Sequence, residues 1–345
     1  MGIELPTLGL GQAPATSNSR LLDSFDRVHN NLRISVTDRC NLRCTYCMPE
    51  EAVFLSRSQL LTFEDIARFV RAAVPLGIDK VRLTGGEPLL RRDLERLVAL
   101  LVRVSGIKDL GLTTNGLLLA DQAKRLYDAG LSRINISLDT LDPATFKRLT
   151  RRDGLDLVLG GIRAARQAGF TPVKINAVSI RGTTEQEVLP LAHFARNEGL
   201  ELRFIEYMPI GAAPWERDKV YFAHEIMGQL NDGIGPLVPA ADYDPRNPAM
   251  DFDYADGGGR VGFIASISRP FCRSCNRIRL TAEGKLRNCL FALNEVDVKD
   301  LLRGGAPDEE IQEVIRANVW AKWEGHEINT SRFIKPSRTM HSIGG

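Results

Sequence analysis

The chain has 345 residues, 43% of them hydrophobic and 26% charged, a composition typical of a globular protein that buries a sizeable core. The 45 basic and 43 acidic residues give a formal net charge of +2, which argues against a dedicated nucleic-acid-binding protein. No apolar run reaches the roughly 18 residues of a membrane span, and the N-terminus lacks the pattern of a signal peptide. We therefore predict a cytoplasmic protein without a membrane segment.

Residues 1–24 are rich in Gly, Pro, Ala and Ser and predict a flexible N-terminal arm. From residue 25 to about residue 210, β-rich runs alternate with helical patterns such as 62–74, 94–104 and 185–197. The first of these helices is preceded by Thr62 in the sequence TFED, a predicted N-cap. The predicted strands are LRISVT from Leu32, DKVRLT from Asp79, DLGLTT from Asp109, RINISL from Arg133, PVKINAV from Pro172 and ELRFIEY from Glu201.

Six βα repeats predict a parallel sheet with outer helices, curled into an incomplete (β/α)6 barrel of the TIM type. The strands alternate between apolar and polar residues, as where Arg33 lies between Leu32 and Ile34. A polar face cannot form a dry core without partners, so we predict that it lines a lumen open to a large polar ligand. The alternative, an antiparallel sheet with one solvated face, is disfavoured by the helical connections.

Residues 211–345 form a predicted C-terminal region of different character. The stretch from Asn231 to Arg260 is rich in Pro, Gly and Asp and predicts a loop. The runs VGFIASIS, NRIRLT and GKLRNCLF predict short strands, and DVKDLLRG and DEEIQEVIRANVWAKWE predict helices.

The six cysteines form two groups of three, which suits metal or redox chemistry better than a disulfide framework. The first group is Cys40, Cys44 and Cys47, in CNLRCTYC directly after the first strand. A structural zinc site needs four ligands, and a thioredoxin-like pair leaves Cys40 unexplained. A cubane iron–sulfur cluster held by three cysteines leaves one iron open to a non-protein ligand, and we favour this interpretation.

This C-x3-C-x2-C motif, with Tyr46 before its last cysteine, resembles that of the radical S-adenosylmethionine (SAM) superfamily. TGGEPLL, from Thr84 to Leu90, is similar to the superfamily's loop for the methionine part of the cofactor. The resemblance implies SAM as a cofactor, and it favours a cluster over a structural zinc ion.

The second group, Cys272, Cys275 and Cys289, poses the same three-ligand problem without a nearby histidine. A zinc knuckle is the alternative to a second cluster. The two groups, NRIRLT and the Gly-Gly terminus together resemble the GTP 3′,8-cyclases of molybdenum cofactor biosynthesis, from about Phe25 to the end of the chain. This implies two [4Fe-4S] clusters and abstraction of the 3′ hydrogen of GTP.

The resemblance also implies roles for single residues. Gly344 and Gly345 would enter the active site as catalytic residues. SAM would be bound by Tyr46, Gly86, Ser137 and Met208. GTP would be bound by Arg33, Arg82, Thr113, Lys174, Arg277, Ile278 and Arg279. The basic residues fit a triphosphate independently, because guanidinium groups suit phosphate oxygens and these residues have no acidic partners nearby in sequence.

The implied partners are a small electron-donor protein and a downstream enzyme that forms the cyclic pyranopterin; a homodimer is left open. Two alternatives remain at this stage. One is a radical SAM enzyme for another nucleotide or a peptide, and the other is a zinc-binding protein without enzymatic activity.

Overall fold

The structure, a computed structural model, describes residues 20–211 and 215–344. Its strands are β1 Asn31–Ser35, β2 Lys80–Thr84, β3 Asp109–Thr114, β4 Arg133–Ser137, β5 Val173–Ser179, β6 Glu201–Glu206, β7 Leu237–Pro239, β8 Met250–Tyr254, β9 Arg260–Ile264, β10 Arg277–Leu280, β11 Lys285–Arg287 and β12 Val296–Asp297. Its helices are α1 Phe63–Ala73, α2 Leu94–Val102, α3 Ala123–Asp128, α4 Pro143–Thr150, α5 Leu155–Ala168, α6 Thr184–Glu198, α7 Ala223–Gly233, α8 Lys299–Arg303, α9 Asp308–Trp320 and α10 Met340–Ile343.

The strands form one sheet in the order β12-β11-β10-β1-β2-β3-β4-β5-β6-β9-β8-β7. Strands β1 to β6 pair in parallel with their chain neighbours, which confirms the predicted barrel core and shows the antiparallel alternative to be wrong. The C-terminal region extends this core, because β10 pairs in parallel with β1 and β9 in parallel with β6. Both regions of the chain therefore build one sheet.

The apolar face of the sheet packs under the helices. Leu32 and Ile34 of β1 and Ile278 and Leu280 of β10 are fully buried in one hydrophobic cluster with the inner faces of the surrounding helices. The predicted N-cap is confirmed, since Thr62 Oγ1 accepts a hydrogen bond from the Asp65 amide and the Asp65 carboxylate accepts one from the Thr62 amide. Burial of this face leaves the polar face for the lumen.

The strand register arranges the polar face in rows. Arg33 lies beside Arg279 of β10 on one side and beside Arg82 of β2 on the other. The row continues to Gly111 of β3, where a Cβ atom would lie 2.6 Å from Arg82 Nη1. The missing side chain at Gly111 thus leaves the space that the Arg82 guanidinium occupies.

Two predictions about irregular segments need correction. The predicted loop from Asn231 to Arg260 contains β7 and β8, which lie at the edge of the sheet, where prolines are tolerated. In the predicted N-terminal arm, Leu21 and Asp23 are buried, so this end of the segment packs against the rest of the chain; residues 1–19 lie outside the described residues. Within the described ranges, no helix is long and apolar enough to cross a membrane.

Candidate functional site

A cavity of about 480 Å³ opens over the polar face of the sheet, a volume within the range of about 300–1,000 Å³ for ligand sites. It is bounded by residues of β1 to β6 and by segments of the C-terminal region. Most of the predicted site residues meet here, namely Arg33, Tyr46, Gly86, Arg82, Thr113, Ser137, Lys174, Met208, Arg277 and Arg279. The lumen predicted from strand alternation is therefore present, and polar side chains of β1 to β5 line it.

The first cysteine group lies on the wall of this cavity. Cys40, Cys44 and Cys47 all line it, and none is in a disulfide. Burial raises the pKa of Cys40 to about 11 and that of Cys47 to about 12. Thiolates at these positions need a compensating positive charge, which iron ions supply. The donor set thus fits an iron–sulfur cluster that faces the cavity.

The Gly-Gly loop packs tightly against the segment that leads to these cysteines. A Cβ atom on Gly86 would lie 2.3 Å from the Arg39 carbonyl oxygen, and one on Gly85 would lie 2.4 Å from that of Thr37. Gly211 is packed equally tightly, since a Cβ atom on it would lie 2.2 Å from the Tyr46 carbonyl oxygen. Glycine at these three positions therefore allows the close packing of the cysteine loop, and Gly85 and Gly86 also line the cavity.

We expect Gly86→Ala to lower SAM binding by about tenfold or more, because the added methyl group displaces the backbone of residues 38 and 39, and small misplacements in a site can cost about 100-fold. Anaerobic equilibrium dialysis with SAM measures the effect. The matched control is Gly228→Ala in α7, where an added Cβ meets nothing within 4 Å. Equal affinity of the Gly86 variant and the control would refute the packing role.

The other residues predicted to bind SAM lie around the same wall. Tyr46 Oη donates a 2.6 Å hydrogen bond to Asp139 Oδ2, and Asp139 Oδ1 accepts one of 2.8 Å from the Val178 amide. Ser137 ends β4, and Met208 follows β6. Asp139 was not among the predicted site residues. The available signal was the alternation of polar residues, which continues from Ser137 to Asp139 just after β4.

Glu87 is a second residue that sequence reasoning missed. It is fully buried and accepts hydrogen bonds from Thr114 Oγ1 at 2.7 Å, the Asn115 amide at 2.7 Å and the Leu89 amide at 2.9 Å. Burial raises the pKa of its carboxyl to about 7, although these donors oppose the shift. The group joins the Gly-Gly loop to the end of β3.

The second cysteine group lies beside the cavity and borders it through Phe271, Arg277 and Leu290. Burial raises the pKa of Cys272. At Cys275 burial also opposes ionisation, but the nearby charges of Arg277 and Lys322 outweigh it and lower the pKa to about 5. The group therefore contains one thiol that favours the thiolate even before metal binds.

The arrangement of the thiols bears on the zinc alternative. Across residues 20–211 and 215–344, no three His, Cys, Asp or Glu side chains are grouped so that they could hold one metal ion. A zinc ion with Zn–S bonds of about 2.3 Å requires its thiolates to converge on one point. The described side chains are therefore not arranged around a single ion.

The arginines predicted to bind GTP form a cluster without carboxylate partners. Within the described ranges, none of Arg33, Arg82, Arg277 and Arg279 lies within 4.0 Å of a carboxylate oxygen. Burial lowers the pKa of Arg82 and Arg279 to about 9 and that of Arg33 well below its usual value, with further lowering by neighbouring arginines. The buried Arg82 Nη1 and Arg277 Nη2 have no hydrogen-bond partner. Such a cluster is suited to a polyanion.

Lys174 differs from this cluster. It has no acidic residue nearby in sequence, as expected, but its ammonium group pairs with the distant Glu201. The two residues are register neighbours on β5 and β6, a relation that their separation in sequence conceals. Arg203, also on β6, lines the cavity and was missed; Asp251 lies 3.5 Å from its guanidinium.

Ile278 differs from the other predicted GTP-binding residues. Its side chain is fully buried in the hydrophobic core, because alternation along β10 directs it away from the face that carries Arg277 and Arg279. A contact of Ile278 with GTP, as the family resemblance implies, is therefore left to its backbone. Thr113, by contrast, lines the cavity as expected.

The C-terminal tail enters the barrel. The Met340 amide donates a 2.9 Å hydrogen bond to the Ile210 carbonyl oxygen, and Arg279 Nη1 donates to the Gly344 carbonyl oxygen. Gly344 has φ of 73°, and an added Cβ would lie 2.7 Å from Thr84 Cγ2. The tail thus reaches the ends of β1 and β2 beside the arginine cluster; Gly345 lies outside the described residues.

Comparisons with known proteins follow the two regions of the chain. A profile of the Radical SAM superfamily matches residues 34–195, and a profile described as Molybdenum Cofactor Synthesis C matches residues 200–328. A GTP 3′,8-cyclase of Rhodopirellula baltica is 46% identical over 330 residues, which cover 94% of this chain and 92% of the relative. A GTP 3′,8-cyclase of Mycobacterium sp. (strain KMS) is 46% identical over 346 residues, which cover 99% and 98%.

Among solved structures, Streptococcus suis SuiB bound to S-adenosylmethionine superposes with a TM-score of 0.62. The superposition covers 91% of this chain and 78% of SuiB, at 17% sequence identity. At this identity the likeness concerns the fold alone. It supports the partial barrel with a C-terminal extension.

Proposed function

We propose the reaction of a GTP 3′,8-cyclase for this chain, which belongs to the radical SAM superfamily and, over nearly its whole length, to the GTP 3′,8-cyclase family. The chain is a radical SAM cyclase of molybdenum cofactor biosynthesis that uses [4Fe-4S] clusters and SAM. The observation that carries the site assignment is the position of the unpaired arginine cluster. It shares one cavity with the first cysteine group.

A reduced cluster held by Cys40, Cys44 and Cys47 would supply the electron for reductive cleavage of SAM, which is the source of the radical chemistry at the 3′ hydrogen of GTP. We propose that Cys40, Cys44 and Cys47 hold this cluster. The cofactor would lie against the wall formed by Tyr46, Gly86, Ser137 and Met208. The lumen surrounds the reactants and keeps water from the reactive centre.

We propose that the arginine cluster of Arg33, Arg82, Arg277 and Arg279 holds the GTP triphosphate, with Lys174 at its margin. The second cysteine group would hold a cluster at the guanine end of the substrate. Gly344 and Gly345 would contribute to the step that follows hydrogen abstraction. The contact between Arg279 and the Gly344 carbonyl oxygen supports a tail position next to the substrate.

The reaction is tested with the anaerobically reconstituted protein, SAM, a reductant and GTP. We expect 5′-deoxyadenosine and 3′,8-cyclised GTP to form in equal amounts. Replacement of GTP by ATP serves as the control, because the family match implies a site for guanine. Formation of 5′-deoxyadenosine at the same rate with either nucleotide, without a cyclised product, would reject the substrate assignment.

Arg82→Met is expected to weaken GTP binding by about 10- to 100-fold, because a hydrogen bond to a charged group contributes about 1.5–3 kcal/mol. Its Nη1 is buried without a protein partner, so the lost interaction is one with ligand. Equilibrium dialysis with labelled GTP measures the change. The control is Arg92→Met, because Arg92 is exposed and lies eight residues after the end of β2. Similar GTP affinity in both variants would exclude Arg82 from the triphosphate site.

We also propose a cytoplasmic location, a small electron-donor protein as the source of the reducing electron, and transfer of the product to an enzyme that forms the cyclic pyranopterin. The need for a low-potential electron supports the donor.

A further inference from the structure

A buried cationic network lies behind the second cysteine group, on elements that the reaction itself does not require. Its members are Arg27, near the N-terminal end of the described chain, and Lys322, just after α9. Both side chains are almost fully buried, with exposed fractions of 8% for Arg27 and 4% for Lys322. Burial of two basic groups at one place is costly and calls for a physical reason.

Lys322 contacts a proposed cluster ligand directly. Its Nζ lies 3.3 Å from Cys275 Sγ and donates a 2.8 Å hydrogen bond to the Arg277 carbonyl oxygen. Among the described residues, no carboxylate oxygen lies within 4.0 Å of this Nζ. The thiolate of Cys275 is therefore the anionic group at hydrogen-bonding distance from the ammonium.

Arg27 has a different set of contacts. Its Nε donates to Asp23 Oδ2 at 2.6 Å, so its charge is balanced. Its Nη1 donates to the carbonyl oxygens of Cys272 at 2.8 Å and Glu324 at 2.7 Å, and its Nη2 donates to that of Trp323 at 2.6 Å. Arg27 thus connects the backbone of Cys272 to residues 323–324, which directly follow Lys322.

The carboxylate of Asp23 is itself held in place. His29 Nε2 lies 2.9 Å from Asp23 Oδ2, and both side chains are fully buried. Burial lowers the pKa of His29 to about 4, so the imidazole is neutral at pH 7 and donates this hydrogen bond. Two basic side chains next to Cys275, Arg277 and Lys322, have no carboxylate partner within 4.0 Å among the described residues. Arg277 also lines the cavity, whereas Lys322 does not.

We propose that Lys322 is a positioning residue of the second cluster: it orients Cys275 and supplies a positive charge that favours the reduced cluster, while Arg27 fixes the backbone of Cys272. The inference rests on the proposed function only in that the second cysteine group holds a cluster. It does not depend on which substrate the protein uses.

The physical basis is the effect of charge and hydrogen bonds on a cluster. Reduction adds negative charge, and a nearby buried ammonium stabilises that charge more strongly than a solvated one. Hydrogen bonds to the ligating sulfur and local net charge are established determinants of cluster potentials. Removal of the Lys322 charge should therefore make reduction harder and shift the midpoint potential to more negative values.

The test uses the full chain with Cys40, Cys44 and Cys47 replaced by Ala, so that one cluster contributes to the signal. Its midpoint potential is measured by anaerobic titration followed by EPR spectroscopy. We expect Lys322→Met to shift the potential to more negative values and Lys322→Arg to stay near the parent. Arg273→Met is the control, because Arg273 follows Cys272 directly but is exposed.

An unchanged potential in Lys322→Met, or an equal shift in Arg273→Met, would overturn the proposal. If Lys322→Met takes up no cluster, iron content becomes the measurement. Retention of iron in Lys322→Arg would then support the requirement for a positive charge, and its loss would contradict it. Failure of GTP turnover alone would not produce either pattern, so the two proposals are tested separately.

Discussion

Deletion of Gly344 and Gly345 is expected to abolish GTP cyclisation, with a loss of at least about 100-fold, because a correctly placed group can contribute that much or more to a reaction. Iron content and SAM cleavage should remain close to those of the parent. Gly344, the last described residue, lies at the arginine cluster, where Arg279 donates to its carbonyl oxygen. Product analysis and iron determination on the same sample measure both quantities.

A single substitution at Gly344 tests whether the tail must lie in its observed position, because it keeps the full length of the tail. Gly344→Ala introduces a Cβ 2.7 Å from Thr84 Cγ2 at a φ of 73°, so the tail or the Thr84 side chain must shift. Gly305→Ala is the matched control, since its φ is 77° and its added Cβ meets nothing within 4 Å. Backbone strain of about 1–2 kcal/mol applies to both. Equal cyclisation by the two alanine variants would contradict a role for the inserted tail.

Alanine at the two cysteine groups is expected to separate the two halves of the reaction. Replacement of Cys40, Cys44 and Cys47 should remove roughly half of the iron and all SAM cleavage, since a three-cysteine cluster with an open iron is needed to bind and reduce the cofactor. Replacement of Cys272, Cys275 and Cys289 should also remove roughly half of the iron, but SAM cleavage should persist without cyclised product.

Each set of replacements serves as the control for the other, because both remove three thiols from loops beside the barrel. Assays of iron, 5′-deoxyadenosine and cyclised GTP are made on both. The variant without Cys272, Cys275 and Cys289 should keep the iron bound by the first cysteine group. Loss of SAM cleavage in this variant, although that iron is retained, would show that the two groups do not have separate roles. If the unsubstituted parent protein contained zinc and no iron, the cluster assignment would be contradicted.

The barrel and most of its lumen could be predicted because strand alternation is local. Arg33, Arg82 and Lys174 each follow an apolar residue on a strand, and in a parallel sheet their faces align. The Gly-Gly loop and the cysteine spacing were equally local. These signals place residues on one face of the sheet, but they contain no information on what lies across a strand.

Relations between distant segments account for what was missed. The pairing of Lys174 with Glu201 depends on the register of β5 and β6, and the contact of Lys322 with Cys275 joins residues 47 positions apart. Alternation along the RIR run already indicated that the Ile278 side chain faces the hydrophobic core. The family resemblance nevertheless assigned all three residues of the run to GTP. Strands β7 and β8 were obscured by their Pro and Asp content.

Transfer of deuterium from GTP tests the central claim most directly. GTP labelled with deuterium at the 3′ position is incubated with the reduced protein and SAM, and the 5′-deoxyadenosine is analysed by mass spectrometry. We predict that 5′-deoxyadenosine carries one deuterium and forms together with cyclised GTP. Unlabelled 5′-deoxyadenosine in the presence of labelled GTP would contradict hydrogen abstraction from that position.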